Sequence, residues 1–138
     1  MQTATAITQV SIPSMNAVHH EEVILIEKLL VKVTKEESAE VLSASFDAIL
    51  EHMQAHFASE EKMMQEAQYP SFSMHKADHD KVLNEARYAE MEWRNRKDVE
   101  ALKAYLEEEL LTWLDQHIKA MDTPMADFVS QFEKYKGY

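Results

Sequence analysis

The chain has no cysteine, one glycine and three prolines in 138 residues, and each shortage removes a class of protein. Without cysteine there are no disulfides, thiolate metal sites, iron–sulfur clusters or cysteine nucleophiles, so any metal must be held by nitrogen and oxygen donors. The single glycine, Gly137, stands next to the end of the chain. Hairpin-rich sheets and phosphate-cradling loops need glycine inside the fold and are excluded. Basic residues are scarce: 14 Lys plus Arg against 25 Asp plus Glu give a formal charge of −11. That balance repels nucleic acid and anionic membrane. No apolar run approaches the length of a membrane span. The opening MQTATAITQVSIPS lacks the basic region and apolar core of a signal peptide. The expectation is a cytoplasmic protein with neither nucleic acid nor membrane as a partner.

What remains is helix-forming. Between Pro13 and Pro124 the sequence is rich in Ala, Leu, Glu, Lys and Met, all good helix formers. The length fits one domain, residues 1–138, able to bury a core unaided. Residues 1–13 read as an extended arm and a first helix as starting after Ser14, with Val23, Ile24, Ile26, Leu30 and Val31 as its apolar stripe. Thr34 with Glu37 makes a T-x-x-E capping signature for a second helix, which should end before Tyr69-Pro70. A third is predicted over Phe72 to Trp93. A fourth starts at the N-cap candidate Asp98 and breaks at Thr123-Pro124. A short C-terminal helix over 124–135 then covers the open end with Met125, Phe128, Val129 and Phe132. Short connections predict an all-α, up-down-up-down antiparallel four-helix bundle over 14–122.

The chemistry concentrates between His56 and His79. His56 and Glu60 are four residues apart, as are His75 and His79, and residues at that spacing share one helix face. Tyr69-Pro70-Ser71 between them reverses the chain, so the two faces can meet. Seven histidines would give about 0.3 pairs at a chosen spacing by chance; this chain has two, His52/His56 and His75/His79. They also sit where apolar residues belong. His56 and Glu60 continue the stripe of Ile49 and Met53, and His117 continues Leu106, Leu110, Trp113 and Leu114. Polar groups at such positions cost several kcal/mol unless paired or coordinated. Asp122, five residues after His117, lies about 140° off that face in a straight α-helix. Pro124 is expected to end the helix and let the carboxylate turn back.

The full pattern is a histidine in the first helix, His56-Phe57-Ala58-Ser59-Glu60-Glu61 in the second, and Tyr69-Pro70 followed by His75-Lys76-Ala77-Asp78-His79 in the third. The fourth adds Trp113-Leu114-Asp115-Gln116-His117 through Asp122. It resembles the hemerythrin family, in particular its bacterial single-domain form, over roughly residues 15–122. The resemblance implies two iron ions bridged by Glu60, Asp122 and a solvent-derived oxo or hydroxo group. His75, His79 and His117 would complete one iron; His56 and a first-helix histidine would hold the other and leave a position open for O2. Both His19 and His20 are candidates for that histidine. His20 has Val23 and Ile24 three and four residues on, whereas His19 has Glu22 and Val23, so His20 is expected to be the ligand. The arm departs from the family pattern: it has no aromatic residue, and Asn16 stands near where an Asp is usual.

The implied function is reversible O2 binding by a monomeric carrier, store or local supplier. Rival readings are a di-iron enzyme reducing peroxide or nitric oxide, and an iron-handling or O2-sensing module. Five neutral imidazoles with only two carboxylates make a site less anionic than the Glu-x-x-His di-iron bundles, which favours binding over O–O cleavage. His52 is expected outside the ligand set, and Glu61 and Glu107-Glu108-Glu109 on solvated faces. Trp113 is expected to wall the O2 pocket or simply to pack.

Overall fold

A computed structural model describes residues 7–136, with side chains to residue 134. The part of the predicted arm before residue 7 lies outside the described residues. Among the described residues there is no strand: the chain forms α1 (Pro13–Thr34), α2 (Ala39–Glu66), α3 (Phe72–Arg96) and a last helical run, α4, over residues 99–136. Connections of only a few residues make successive helices antiparallel, and α1 packs on α2, α2 on α3, α3 on α4, and α4 back on α1.

The sequence explains the start of each helix. Proline occupies the first turn of α1, where its missing N–H has no intrahelical partner to lose. Ser38 caps α2, its hydroxyl accepting from the Val41 N–H at 3.3 Å. The T-x-x-E signature therefore pointed one turn too early. Thr34 is still inside α1 and gives its hydroxyl to the Leu30 carbonyl. Asp98 caps α4 as predicted, accepting from the Ala101 N–H at 3.1 Å.

The lack of glycine shows at the helix ends. Glu36, Gln68 and Lys97, each just past a helix, hold φ of 57°, 55° and 52°. Glycine is the usual residue for this left-handed position, because a Cβ there costs roughly 1–2 kcal/mol.

Two apolar layers flank a polar one. The first joins Ile26, Leu29, Phe46, Ile49, Met53, Val82, Trp93 and Leu106. The second, at the other end, joins Val10, Met15, Met64, Leu114, Ile118, Met125 and Val129. Asn16 fastens the arm to this second layer: its amide accepts from the Val10 N–H at 2.8 Å and donates to the Val10 carbonyl at 2.9 Å. The histidines and acids lie between the layers.

α4 does not break at Thr123-Pro124. It passes through two wider turns, Tyr105–Leu110 and Ile118–Asp122, in which backbone bonds close from i to i+5. The Thr123 N–H and hydroxyl both reach the Ile118 carbonyl. Pro124 follows with no N–H to contribute, so widening the turn just before it forfeits no bond at that residue. In such a turn the fifth residue returns over the first, and Asp122 comes back to the His117 face without the helix ending.

Replacing Gln68, which is exposed, by glycine removes the left-handed penalty at little cost in contacts. We expect Q68G to stabilise the metal-free protein by roughly 0.5–1 kcal/mol in urea unfolding; destabilisation would refute the account of these helix ends.

Candidate metal centre

All four helices contribute to the polar layer: His19 from α1, His56 and Glu60 from α2, His75 and His79 from α3, His117 and Asp122 from α4. None of the seven is more than 3% exposed. They form two overlapping groups, Glu60, His75, His79, His117 and Asp122 in one and His19, His56, Glu60 and Asp122 in the other.

The two carboxylates divide their oxygens between the groups. Glu60 turns Oε2 toward His56 Nε2 (2.7 Å) and His19 Nε2 (3.3 Å), and Oε1 toward His79 Nε2 (3.2 Å) and His75 Nε2 (3.5 Å). Asp122 turns Oδ2 toward His19 Nε2 (3.0 Å), and Oδ1 toward His75 Nε2 (3.0 Å) and His117 Nε2 (3.1 Å). Despite these distances, Glu60 Oε1 and both Asp122 oxygens accept no well-aligned hydrogen bond. The imidazoles crowd one another too: His117 Nε2 is 3.1 Å from His75 Nε2 and 3.2 Å from His79 Nε2. Buried acceptors that converge on each other rather than on donors are a poor hydrogen-bond network. They suit cations placed between them, and neutral imidazole with carboxylate is a donor set for iron or zinc. The residues fit a metal pair.

The first-helix histidine differs from the expectation. His20 faces solvent, while His19 is fully buried and meets both shared carboxylates. The comparison of +3 and +4 neighbours failed because it took Glu22 for a solvent-facing residue; Glu22 is 1% exposed. Followed further, the sequence does carry the answer. Met15, His19, Val23 and Ile26 are all buried and lie on one stripe, whereas the stripe of His20 runs through Asn16 and Glu27.

The chain matches the family described as Hemerythrin HHE cation binding domain over residues 10–129. The chain belongs to the hemerythrin family. It is 30% identical over 112 residues to the bacteriohemerythrin of Aquifex aeolicus, covering 81% of this chain and 85% of that protein. It is 35% identical over 103 residues to the bacteriohemerythrin of Ralstonia nicotianae, covering 75% and 73%. No solved structure matches the chain significantly.

Around the seven inward-facing residues stand three carboxylates that the sequence reading did not place there. Glu22 Oε1 accepts from His56 Nδ1 at 3.0 Å, Glu61 Oε2 from His79 Nδ1 at 3.0 Å, and Asp78 Oδ2 from His117 Nδ1 at 2.6 Å. Binding the Nδ1–H leaves Nε2 as the nitrogen aimed inward. Glu61 is therefore not a solvated helix charge, and the site carries more negative charge nearby than its seven inner residues suggest. A signal existed for two of these acids: Glu61 adjoins Glu60, and Asp78 adjoins His79, so each falls beside the inward face. Aromatic rings fix two imidazoles further. Phe57 stacks on His79 at 4.1 Å between centroids, and Trp113 on His117 at 4.4 Å. Trp113 thus packs directly on an imidazole.

The buried carboxylates raise the pKa values of His19, His56 and His75 against the effect of burial. Burial by itself would lower the His75 pKa, but Asp122 and Glu60 opposite its Nε2 raise it to about 9. Burial would raise the Glu22 carboxyl, but His56 and His52 hold it at about 2. The raised His75 stabilises the metal-free fold fully below its ordinary 6.5, and loses that contribution as pH rises through about 9. The lowered Glu22 contributes above its ordinary 4.5, and loses it as pH falls toward 2. Metal-free protein should therefore melt highest near pH 5–6.5 and lower at pH 10, as thermal unfolding followed by circular dichroism would register. A melting temperature that rises from pH 6 to 10 would contradict this.

Proposed function

We propose that this hemerythrin-family chain holds two iron ions and binds O2 reversibly, as a cytoplasmic monomer that carries, stores or locally supplies it. The observation that carries the reading is the inequality of two groups that share their carboxylates. One has five protein donors and the other four, with only His19 and His56 as imidazoles. The group with fewer donors is the one with room for an exogenous ligand. A cavity of about 60 Å³, lined by Ser14, Met15, Val18, His56, Ser59, Glu60 and Met63, lies on that side. Such a space admits a diatomic molecule.

Iron, when bound, supplies the redox couple and the coordination position that O2 requires. The protein supplies everything else. Glu60 and Asp122 face both groups, each with one oxygen to either side. His75, His79 and His117 crowd the five-donor side and close it to further ligands. Met15, Val18 and Met63 give the cavity apolar walls, which favour a neutral diatomic over water. Among the described residues no helix is long and apolar enough to cross a membrane.

Metal analysis with absorption spectra tests this directly. We expect two irons per chain and an oxygen-dependent charge-transfer band that disappears under argon and returns in air. Zinc in place of iron, or steady consumption of peroxide or nitric oxide with a reductant, would replace the reading with another. His19→Ala and Glu60→Ala should lose paired iron, whereas His20→Ala should keep both ions and the spectrum.

A further inference from the structure

Glu22 is a buried acid that the seven inward-facing residues do not account for. It lies on the face of α1 that also buries Met15, Val23 and Ile26, where a carboxylate costs several kcal/mol unless fully partnered. One of its oxygens, Oε1, accepts from two rings of α2, His56 Nδ1 at 3.0 Å and His52 Nδ1 at 2.9 Å. His52 is pinned in turn, its Nε2 lying 3.3 Å from Glu21 Oε1 at the surface. The carboxylate is thus held on its outer side and cannot follow the His56 ring if that ring turns.

His56 has more need of such a hold than His79 and His117 across the site. His79 and His117 each have a carboxylate behind them and an aromatic ring stacked flat upon them. The nearest aromatic to His56, Phe57, is tilted by 44° at 4.9 Å, and His56 also lines the small cavity. Its orientation, with Nε2 2.7 Å from Glu60 Oε2, rests chiefly on the Nδ1 bond. The four-donor group has only two imidazoles, so a turned His56 removes one of its two nitrogen donors, while the five-donor group is untouched.

We propose that Glu22, clamped by His52, is the positioning residue for His56 and governs whether the four-donor half of the centre holds an ion. This rests on the reading of the cluster as a two-metal site, but on neither iron nor O2. Zinc titration of the metal-free protein tests it, with Glu22→Leu and Glu22→Gln compared against the wild type and His56→Ala. The wild type should bind two zinc ions. Glu22→Leu should bind one normally and the second at least about tenfold more weakly, the range usual for loss of a residue that orients a ligand. Glu22→Gln keeps an oxygen that accepts the Nδ1–H, and should restore binding to within a few-fold of the wild type. The hydrogen-bonded His56 Nδ1–H proton resonance should persist in zinc-loaded wild type and Glu22→Gln, and vanish in Glu22→Leu.

Wild-type affinity for both zinc ions in Glu22→Leu overturns the proposal. So does a Glu22→Gln variant that fails as badly as Glu22→Leu, or that lacks the resonance; this holds even if Glu22→Leu does not fold. Fewer than two zinc ions in the wild type would overturn both this and the two-metal reading. Two zinc ions bound, but no reversible oxygen spectrum in the iron form, would count against the proposed function alone.

Discussion

The structure turns on the cost of gathering buried acceptors in one layer. Seven inward-facing side chains with no more than 3% exposure bring lone pairs to within about 3 Å of one another, and Asp122 finds no aligned donor for either oxygen. Protons can quiet part of this repulsion: His19, His56 and His75 are raised and Glu60 and Asp122 lowered, each by the opposite charges beside it. Cations between the groups quiet more of it, because one ion faces four or five donors at once. The apolar layers at both ends supply the burial that offsets the cost and hold the helices at the spacing the layer requires.

Backbone irregularity serves the same end. A regular α-helix cannot show His117 and a residue five positions on to the same centre. The wide turn over Ile118–Asp122 removes that obstacle, and the Thr123 hydroxyl helps to satisfy the Ile118 carbonyl there. Asp122 consequently lies on rigid helix rather than on a frayed end, which suits a carboxylate that must face two groups at once.

Much of this was legible in the sequence. The helices followed from composition and stripe, and Asp98 announced a cap. The paired spacings of His56/Glu60 and His75/His79, with His117 continuing an apolar stripe, located the centre. The misses share one cause. Glu61 was taken as a solvated charge because acids usually are, Glu22 counted only against the face of His19, and Asp78 was given no role. Where such acids settle depends on partners from other helices: Glu22 is buried against His52 and His56, and the half-buried Asp78 turns to His117. Misjudging Glu22 then moved the first histidine by one residue. Ser38 prevailed over Thr34 as a cap because α1 ran on through Thr34. The wide turn was invisible because it leaves no composition signal beyond a proline two residues past Asp122.

The flat stacking of Phe57 on His79 and of Trp113 on His117 bears on time rather than on affinity. A ring wedged between an aromatic face and a carboxylate can swing aside only if its neighbours in the core move as well. An ion held on that side would leave only through such a concerted opening, whereas His19 and His56 have no ring stacked flat on them among the described contacts. The two halves therefore differ in lability. If both held an ion, the five-donor half would be the slow one to empty, and the half beside the cavity would exchange first.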